Sequence, residues 1–245
     1  MSRTLVWFSC GAPSAVAAKL LVSAGEPVEL LYTYVVEEHP DNERFRGDCE
    51  KWIGQPIKVL INEEYHGSIY EVFEKRGYLV GIAGAPCTTL LKRKLREEYQ
   101  RPGDIHVLGF TWEEQDRLED FLESFPDMKV RCPLIEERLS KSDCLSMVKD
   151  ANIKLPAMYL LGYNNNNCRG CVKGGAGYWN KIRIDFPEYF LKMSLVERKV
   201  NHSILRLGGI PVFLDELPPD AGRDVPEPKI ECSMMCYVAK QGYGG

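Results

Sequence analysis

Short apolar, β-prone runs alternate along this chain with segments whose apolar residues recur at helical spacing. That is the pattern of βαβ units wound around a parallel sheet. Thr4 to Phe8 predicts a first strand. An Ala-rich helix follows, with Pro13 in its first turn, where a missing N–H costs nothing, and Gly25 as its stop. Val28 to Val35 predicts a second strand, and Asp41 stands as the N-cap of a helix reaching Trp52. Ile57 to Leu60 gives a short strand, after which Ile69, Val72 and Phe73 share one helical face. Ile105 to Gly109 predicts another strand. Thr111 with Glu114 then forms a capping-box pair, and Ser140 with Asp143 repeats it before the helix that carries Cys144.

Past Gly177 the pattern changes. Tyr189, Met193, Val196 and Val200 form an apolar stripe at 4-3-4 spacing, a helix packing on the body. Ile204 to Leu214 predicts a hairpin turning at Gly208-Gly209. Leu217 to Pro228 is rich in Pro and Asp and predicts irregular chain. The expected architecture is therefore an α/β fold with a doubly wound, mainly parallel sheet over residues 1–176. A helical and hairpin extension over 177–245 packs on that core.

Composition narrows the function classes. The 245 residues are 44% hydrophobic and 10% aromatic, which suits a globular chain able to bury a full core. No apolar run approaches the roughly 20 residues that cross a bilayer, so no membrane partner is expected. The start, Met1 to Phe8, reads as a strand rather than a signal peptide, and the expected location is cytoplasmic, where thiols stay reduced. A net charge of −4 argues against a surface built wholly for nucleic acid, while leaving room for a local basic site. Nine cysteines, an odd number spread through the chain, favour metal ligation or thiol chemistry over a disulfide framework.

Two segments carry candidate chemistry. Phe8-Ser9-Cys10-Gly11-Ala12-Pro13-Ser14 joins a strand to a helix N-terminus, where backbone N–H groups and the helix dipole favour an anion such as a phosphate. Ser9 and Ser14 add hydroxyls, and Gly11 lets the backbone approach a ligand. The second segment runs from Leu155 to Tyr163 through Asn164 to Asn167 into Cys168-Arg169-Gly170-Cys171. Its polar, Asn- and Gly-rich loop leaves two thiols three positions apart to converge on one acceptor, a metal or a redox centre. Cys87 opens a further helical segment, where a helix N-terminus favours the thiolate. Zinc is a natural occupant of a four-thiolate site of mixed spacing.

These segments resemble the phosphoadenosine phosphosulfate/adenosine phosphosulfate (PAPS/APS) reductases of the PP-loop, adenine nucleotide alpha-hydrolase superfamily. Leu155-Pro156, Tyr159 and Gly162-Tyr163, leading into Cys168-x-x-Cys171, match the family's LP-x-x-Y-x-x-GY stretch. Ser9, Gly11 and Ser14 match its Ser-Gly-Gly-x-Asp-Ser loop, with Cys10 in place of a Gly and Pro13 in place of the Asp. Cys87 and Lys92 match the Cys-Cys-x-x-Arg-Lys segment, with Thr88 and Leu91 as departures. Thr111 stands where a strand-end Arg is expected, and Glu231-Cys232 resembles the start of the Glu-Cys-Gly-x-His tail, with Ser233 and Met235 departing.

The resemblance implies an adenine nucleotide substrate (PAPS, APS or ATP) held by Ser9, Gly11 and Ser14; Arg44, after the second strand, reads as a helix-surface residue that could reach a phosphate. It implies an iron–sulfur cluster, of the 4Fe-4S kind with zinc as the alternative, on Cys87, Cys168 and Cys171; Cys144 is taken as the fourth ligand, with Cys232 and Cys236 as the other candidates. Cys232 would attack the sulfuryl sulfur and release sulfite, with Lys92 as a catalytic cation and a thioredoxin-like thiol as reductant. Cys236 could resolve that chemistry, and Lys173 is a further anion contact. Cys10, Cys49 and Cys132 read as packing residues. The alternatives are an iron–sulfur-dependent sulfurtransferase that takes sulfur from a donor and thiolates tRNA or DNA, and a non-enzymatic cluster-bearing nucleotide-binding protein.

Overall fold

A computed structural model describes residues 2–81, 84–223, 225 and 230. Its regular elements are, in chain order, β1 (Thr4–Phe8), α1 (Ala12–Ser23), β2 (Val28–Thr33), α2 (Asp41–Ile53), β3 (Ile57–Leu60), α3 (Ile69–Arg76) and α4 (Pro86–Thr88). A π-helical turn, Thr89–Arg93, leads into α5 (Lys94–Tyr99), β4 (Ile105–Val107), α6 (Gln115–Ser124), β5 (Lys129–Arg131), α7 (Pro133–Glu136), α8 (Lys141–Asp150) and α9 (Ala157–Leu160). The remainder is α10 (Ala176–Asp185), α11 (Pro187–Val200), β6 (Leu205–Leu207) and β7 (Ile210–Val212). The chain divides into two compact units. One gathers residues 1–34, 39–60 and 96–166; the other gathers 35–38, 61–95 and 167–245.

The first unit holds a five-stranded sheet in the order β3-β2-β1-β4-β5, with every neighbour parallel. The central β1 is buried from Leu5 to Phe8, as expected of a strand covered on both faces. Helix α1 packs against α2, α7 and α8, and its Ala-rich sequence allows the close approach. Ala15, Val16, Ala17 and Ala18 are all inaccessible in one apolar cluster with Val6, Phe8, Leu30 and Phe45. This is the doubly wound α/β fold that the alternation of runs predicts. Both capping boxes form as expected, Thr111 with Glu114 and Ser140 with Asp143.

Several expectations shift, and β4 ends at Val107 rather than Gly109. β2 ends at Thr33 rather than Val35, and β5 has no counterpart in the sequence reading because its three residues, Lys-Val-Arg, carry no apolar run. Asp41 begins α2 and Pro40 occupies the cap position. The Asp41 carboxylate binds Arg44 and accepts from the Ala157 N–H at 2.9 Å instead.

The second unit is mainly helical. α11 packs on α3 and α10, burying Met193 and Val196 as its stripe predicts. The β6–β7 hairpin is antiparallel and turns at Gly208 and Gly209, both at positive φ, as a tight two-residue turn requires. One buried side chain fixes the hairpin. The Glu197 carboxylate accepts from the N–H of Ile204 and from that of Leu214, each at 2.6 Å, bracketing the hairpin at both ends. No described helix is long and apolar enough to cross a membrane.

Candidate functional site

In the first unit the candidate anion site is the loop between β1 and α1. The sheet order reverses beside β1, where β4 joins it, so this loop lies at the carboxyl ends of the strands flanking the switch point, where doubly wound sheets place ligands. Ser9, Gly11 and Ser14 come together there. The buried Ser14 hydroxyl clasps the loop, accepting from the Ser9 N–H at 3.0 Å and the Ser9 hydroxyl at 3.1 Å and donating to the Gly11 carbonyl at 2.9 Å. Ser9 remains exposed and Gly11 is buried. Cys10 takes φ +56, the left-handed region that costs a non-glycine residue about 1–2 kcal/mol. The glycine that the PP-loop motif carries at this position thus has a local conformational reason.

Three groups brace the loop. Gly109 follows β4, and a Cβ there would lie 2.9 Å from both the Ser14 N and Cα, so only glycine permits this approach. The Tyr159 hydroxyl lies 3.2 Å from where a Gly11 Cβ would stand, and burial raises its pKa to about 12 against partial offset from the Ala12 and Asn166 backbone. Asn166 Nδ2 donates to the Cys10 carbonyl at 2.7 Å and to Asn42 Oδ1 at 2.8 Å. Tyr159 and Asn166 were legible only as parts of the LP-x-x-Y and tetra-asparagine segments, with no signal for these roles.

Arg44 is corrected. Its guanidinium grips Asp41 at 2.7 Å and Asp48 at 2.9 Å and donates to the carbonyls of Lys154 and Leu155. It is a structural clamp between α2 and the chain entering α9, with its donors committed to protein. Thr111, at the expected Arg position, gives its hydroxyl to Glu114.

In the second unit the candidate centre is Cys168-Arg169-Gly170-Cys171. Gly170 sits at φ +88, and a Cβ there would meet the Trp179 ring at 3.1 Å. The Tyr178 hydroxyl fills the inside of the turn, accepting from the Gly170 N–H at 3.2 Å and the Cys171 N–H at 2.9 Å and donating to the Cys168 carbonyl at 2.9 Å. Burial, and then the neighbouring Cys171, raise the Tyr178 pKa well above its ordinary value, so it stays a neutral hydroxyl. Arg169 donates its N–H to the Glu37 carbonyl and its guanidinium to the Glu38 carbonyl, and lies 4.0 Å over the Tyr189 ring. Sequence reading quoted neither Tyr178 nor Arg169 as a site residue.

Among the described residues no three His, Cys, Asp or Glu side chains converge as a metal-binding group. Cys144 lies inaccessible in the apolar cluster beneath α1, and burial pushes its thiol to about 12. Cys49 and Cys132 are buried with thiols likewise pushed to about 12 by burial, and Cys10 is in the core, all as their packing assignment expects. Cys87 is half-buried at the start of α4. Neither an iron–sulfur cluster nor a four-thiolate zinc is supplied with ligands by the described cysteines. Cys232 and Cys236 lie outside the described residues. Lys92, expected as a catalytic cation, is buried in an ion pair with Glu38 at 3.1 Å.

No family model matches the chain, and no curated protein matches it. Among solved structures it is similar to NMN synthetase from Francisella tularensis, at 14% identity and a TM-score of 0.42, covering 82% of this chain and 84% of that one.

Proposed function

We propose that this chain is an adenine-nucleotide enzyme of the PP-loop type that does thiol-based sulfur chemistry of the sulfonucleotide reductase kind. The observation that carries this reading is the β1–α1 loop: a helix N-terminus at the sheet's switch point, clasped by Ser14, closed by Gly109 and edged by the exposed Ser9 hydroxyl. Such a loop meets a phosphate with backbone N–H groups and the positive end of the helix dipole. The thiol part rests on the resemblance of the LP-x-x-Y…Cys-x-x-Cys and Glu-Cys segments.

The chemistry is nucleophilic. A thiolate attacks the sulfuryl sulfur of a nucleotide phosphosulfate, the sulfur–oxygen bond to the phosphate breaks, and the adenylate leaves with the bonding pair. The enzyme keeps an S-sulfonate, from which a second thiol displaces sulfite by forming a disulfide. Cys232 is the nucleophile that the resemblance gives, and no step is assigned to a cluster.

Calorimetric titration with PAPS, APS and ATP, paired with a sulfite-release assay containing dithiothreitol, tests both halves. The reading expects adenylate binding weakened about tenfold by Ser14→Ala, the loss of one hydrogen-bonded hydroxyl. Cys232→Ser should bind normally and release no sulfite. Full sulfite release by that variant would overturn the nucleophile assignment, and absence of adenylate binding would overturn the whole reading.

A further inference from the structure

Past the hairpin, two asparagine amides of the second unit hold the chain that leads to Cys232. On α10, Asn180 Nδ2 donates to the Pro218 and Ala221 carbonyls, each at 2.9 Å. Asn180 is buried, and backbones meet beside it, since a Cβ on Gly177 would stand 2.5 Å from the Gly222 oxygen. Farther along, Asn167 Nδ2 donates to the Ile230 carbonyl at 2.9 Å. Ile230 is only 4% exposed. An apolar side chain removed from water and a hydrogen-bonded carbonyl thus fix the same residue.

Ile230 stands two positions before Cys232, and Asn167 follows directly on Asn166, whose amide holds the Cys10 carbonyl of the β1–α1 loop at 2.7 Å. Were Asn180 the last hold, the tether to Cys232 would run eleven residues from Ala221; counted from Ile230 it is two. Two residues reach at most about 7 Å. The effective concentration of a tethered group falls roughly as the −3/2 power of tether length, so the shorter tether raises it about tenfold.

We propose that Asn167 and Ile230 form an anchor that positions the Cys232 thiol for its attack on the phosphosulfate, with Asn167 as the positioning residue. The role rests on the reading of Cys232 as the nucleophile; the anchor itself does not. The bond made, from the Cys232 sulfur to the sulfuryl sulfur, and the bond broken, from that sulfur to the phosphate oxygen, are those already given. The anchor touches neither. It acts by removing chain freedom before the reaction that the attack would otherwise have to remove.

Two readouts on the full-length protein separate anchor from role. Lys229 directly precedes Ile230, so brief tryptic digestion of the native protein, scored by mass spectrometry at that bond, reports the anchor without any nucleotide. Asn167→Ala should speed this cut about fivefold, the loss of one neutral hydrogen bond. Adding Ile230→Ala should bring the gain to at least fiftyfold. In single-turnover sulfite release at saturating APS or PAPS, the double variant should fall about tenfold, with nucleotide affinity by calorimetry unchanged. A cut at Lys229 that neither variant speeds would overturn the anchor. Faster cutting with undiminished sulfite release would overturn its positioning role. A wild-type protein that releases no sulfite would strike the nucleophile reading and the role built on it, while the digestion still decides the anchor. If the double variant does not fold, Asn167→Ala and Ile230→Val carry the same two readouts.

Discussion

His106 in the parallel-sheet unit and Glu197 in the helical unit are both inaccessible titratable groups, and burial drives them in opposite directions. His106, on β4, accepts from the Trp7 indole N–H at 3.0 Å through Nδ1, and burial, then the nearby Arg96, lower its pKa to about 4. Glu197 is raised to about 7 by burial, partly offset by the N–H groups of Ile204 and Leu214. Their structural roles differ just as sharply. His106 fills space between strands whose backbone groups are already paired by the sheet ladder. Glu197 extends a short ladder, since its carboxylate takes the Ile204 and Leu214 N–H groups just outside the paired residues of the hairpin. Tyr178 likewise takes two N–H groups of the Cys-x-x-Cys turn. Where chain is irregular, one buried polar side chain carries what hydrogen-bond ladders carry elsewhere.

If that contrast is right, striking a hub in the helical unit is the most damaging change. Gly174→Val drives a side chain into the Tyr178 ring, 2.0 Å from where a Gly174 Cβ would lie, and should cost about 4 kcal/mol in chemical unfolding, at the upper end for an overpacked site. A cost below about 1 kcal/mol would show that the turn holds without Tyr178. Glu197→Ala strands two N–H groups and should cost about 3 kcal/mol, with faster hydrogen exchange confined to the segment from Ile204 to Leu214.

The pH profile sharpens the comparison further. Unfolded His106 titrates near 6.5 and the folded one near 4. Its contribution is therefore complete above pH 6.5 and is lost as pH falls toward 4, by up to about 3 kcal/mol. Glu197 works the other way, from 4.5 unfolded to about 7 folded. Its contribution is complete below pH 4.5 and is lost as pH rises through 7, by a similar amount. His106→Asn should flatten the acid limb of stability against pH, and Glu197→Gln the neutral limb. An acid limb that survives in His106→Asn would place its origin elsewhere. The smallest effect belongs to Ser14→Ala, about 1 kcal/mol of stability, because the loop it clasps is also held by Tyr159, Asn166 and Gly109.

Legibility followed the same divide. The strands with apolar runs, both capping boxes, the Gly208-Gly209 hairpin and the α11 stripe could all be read locally, because each depends on residues within a turn or two of one another. β5 could not, since its Lys-Val-Arg gives no periodic signal and its pairing with β4 is long-range. Among candidate site residues, Ser9, Gly11 and Ser14 lie together because a single loop supplies all three. Arg44 and Lys92 were read as anion contacts, yet Asp41, Asp48 and Glu38 bind them. A long cationic side chain takes the carboxylate that packing brings nearest, and a sequence does not name that partner.

The cysteines show the limit most plainly. Residue order alone determined that α and β segments alternate, that a strand ends in a small-residue loop at a helix start, and that two thiols stand three positions apart. Only the folded chain decided that Cys144 faces the apolar side of α8 beneath α1, that no three described ligands meet, and that the hydroxyl of Tyr178 occupies the inside of the turn. The reason is physical: periodicity and capping are settled by near neighbours, whereas burial and partnership are settled by segments far apart in the chain.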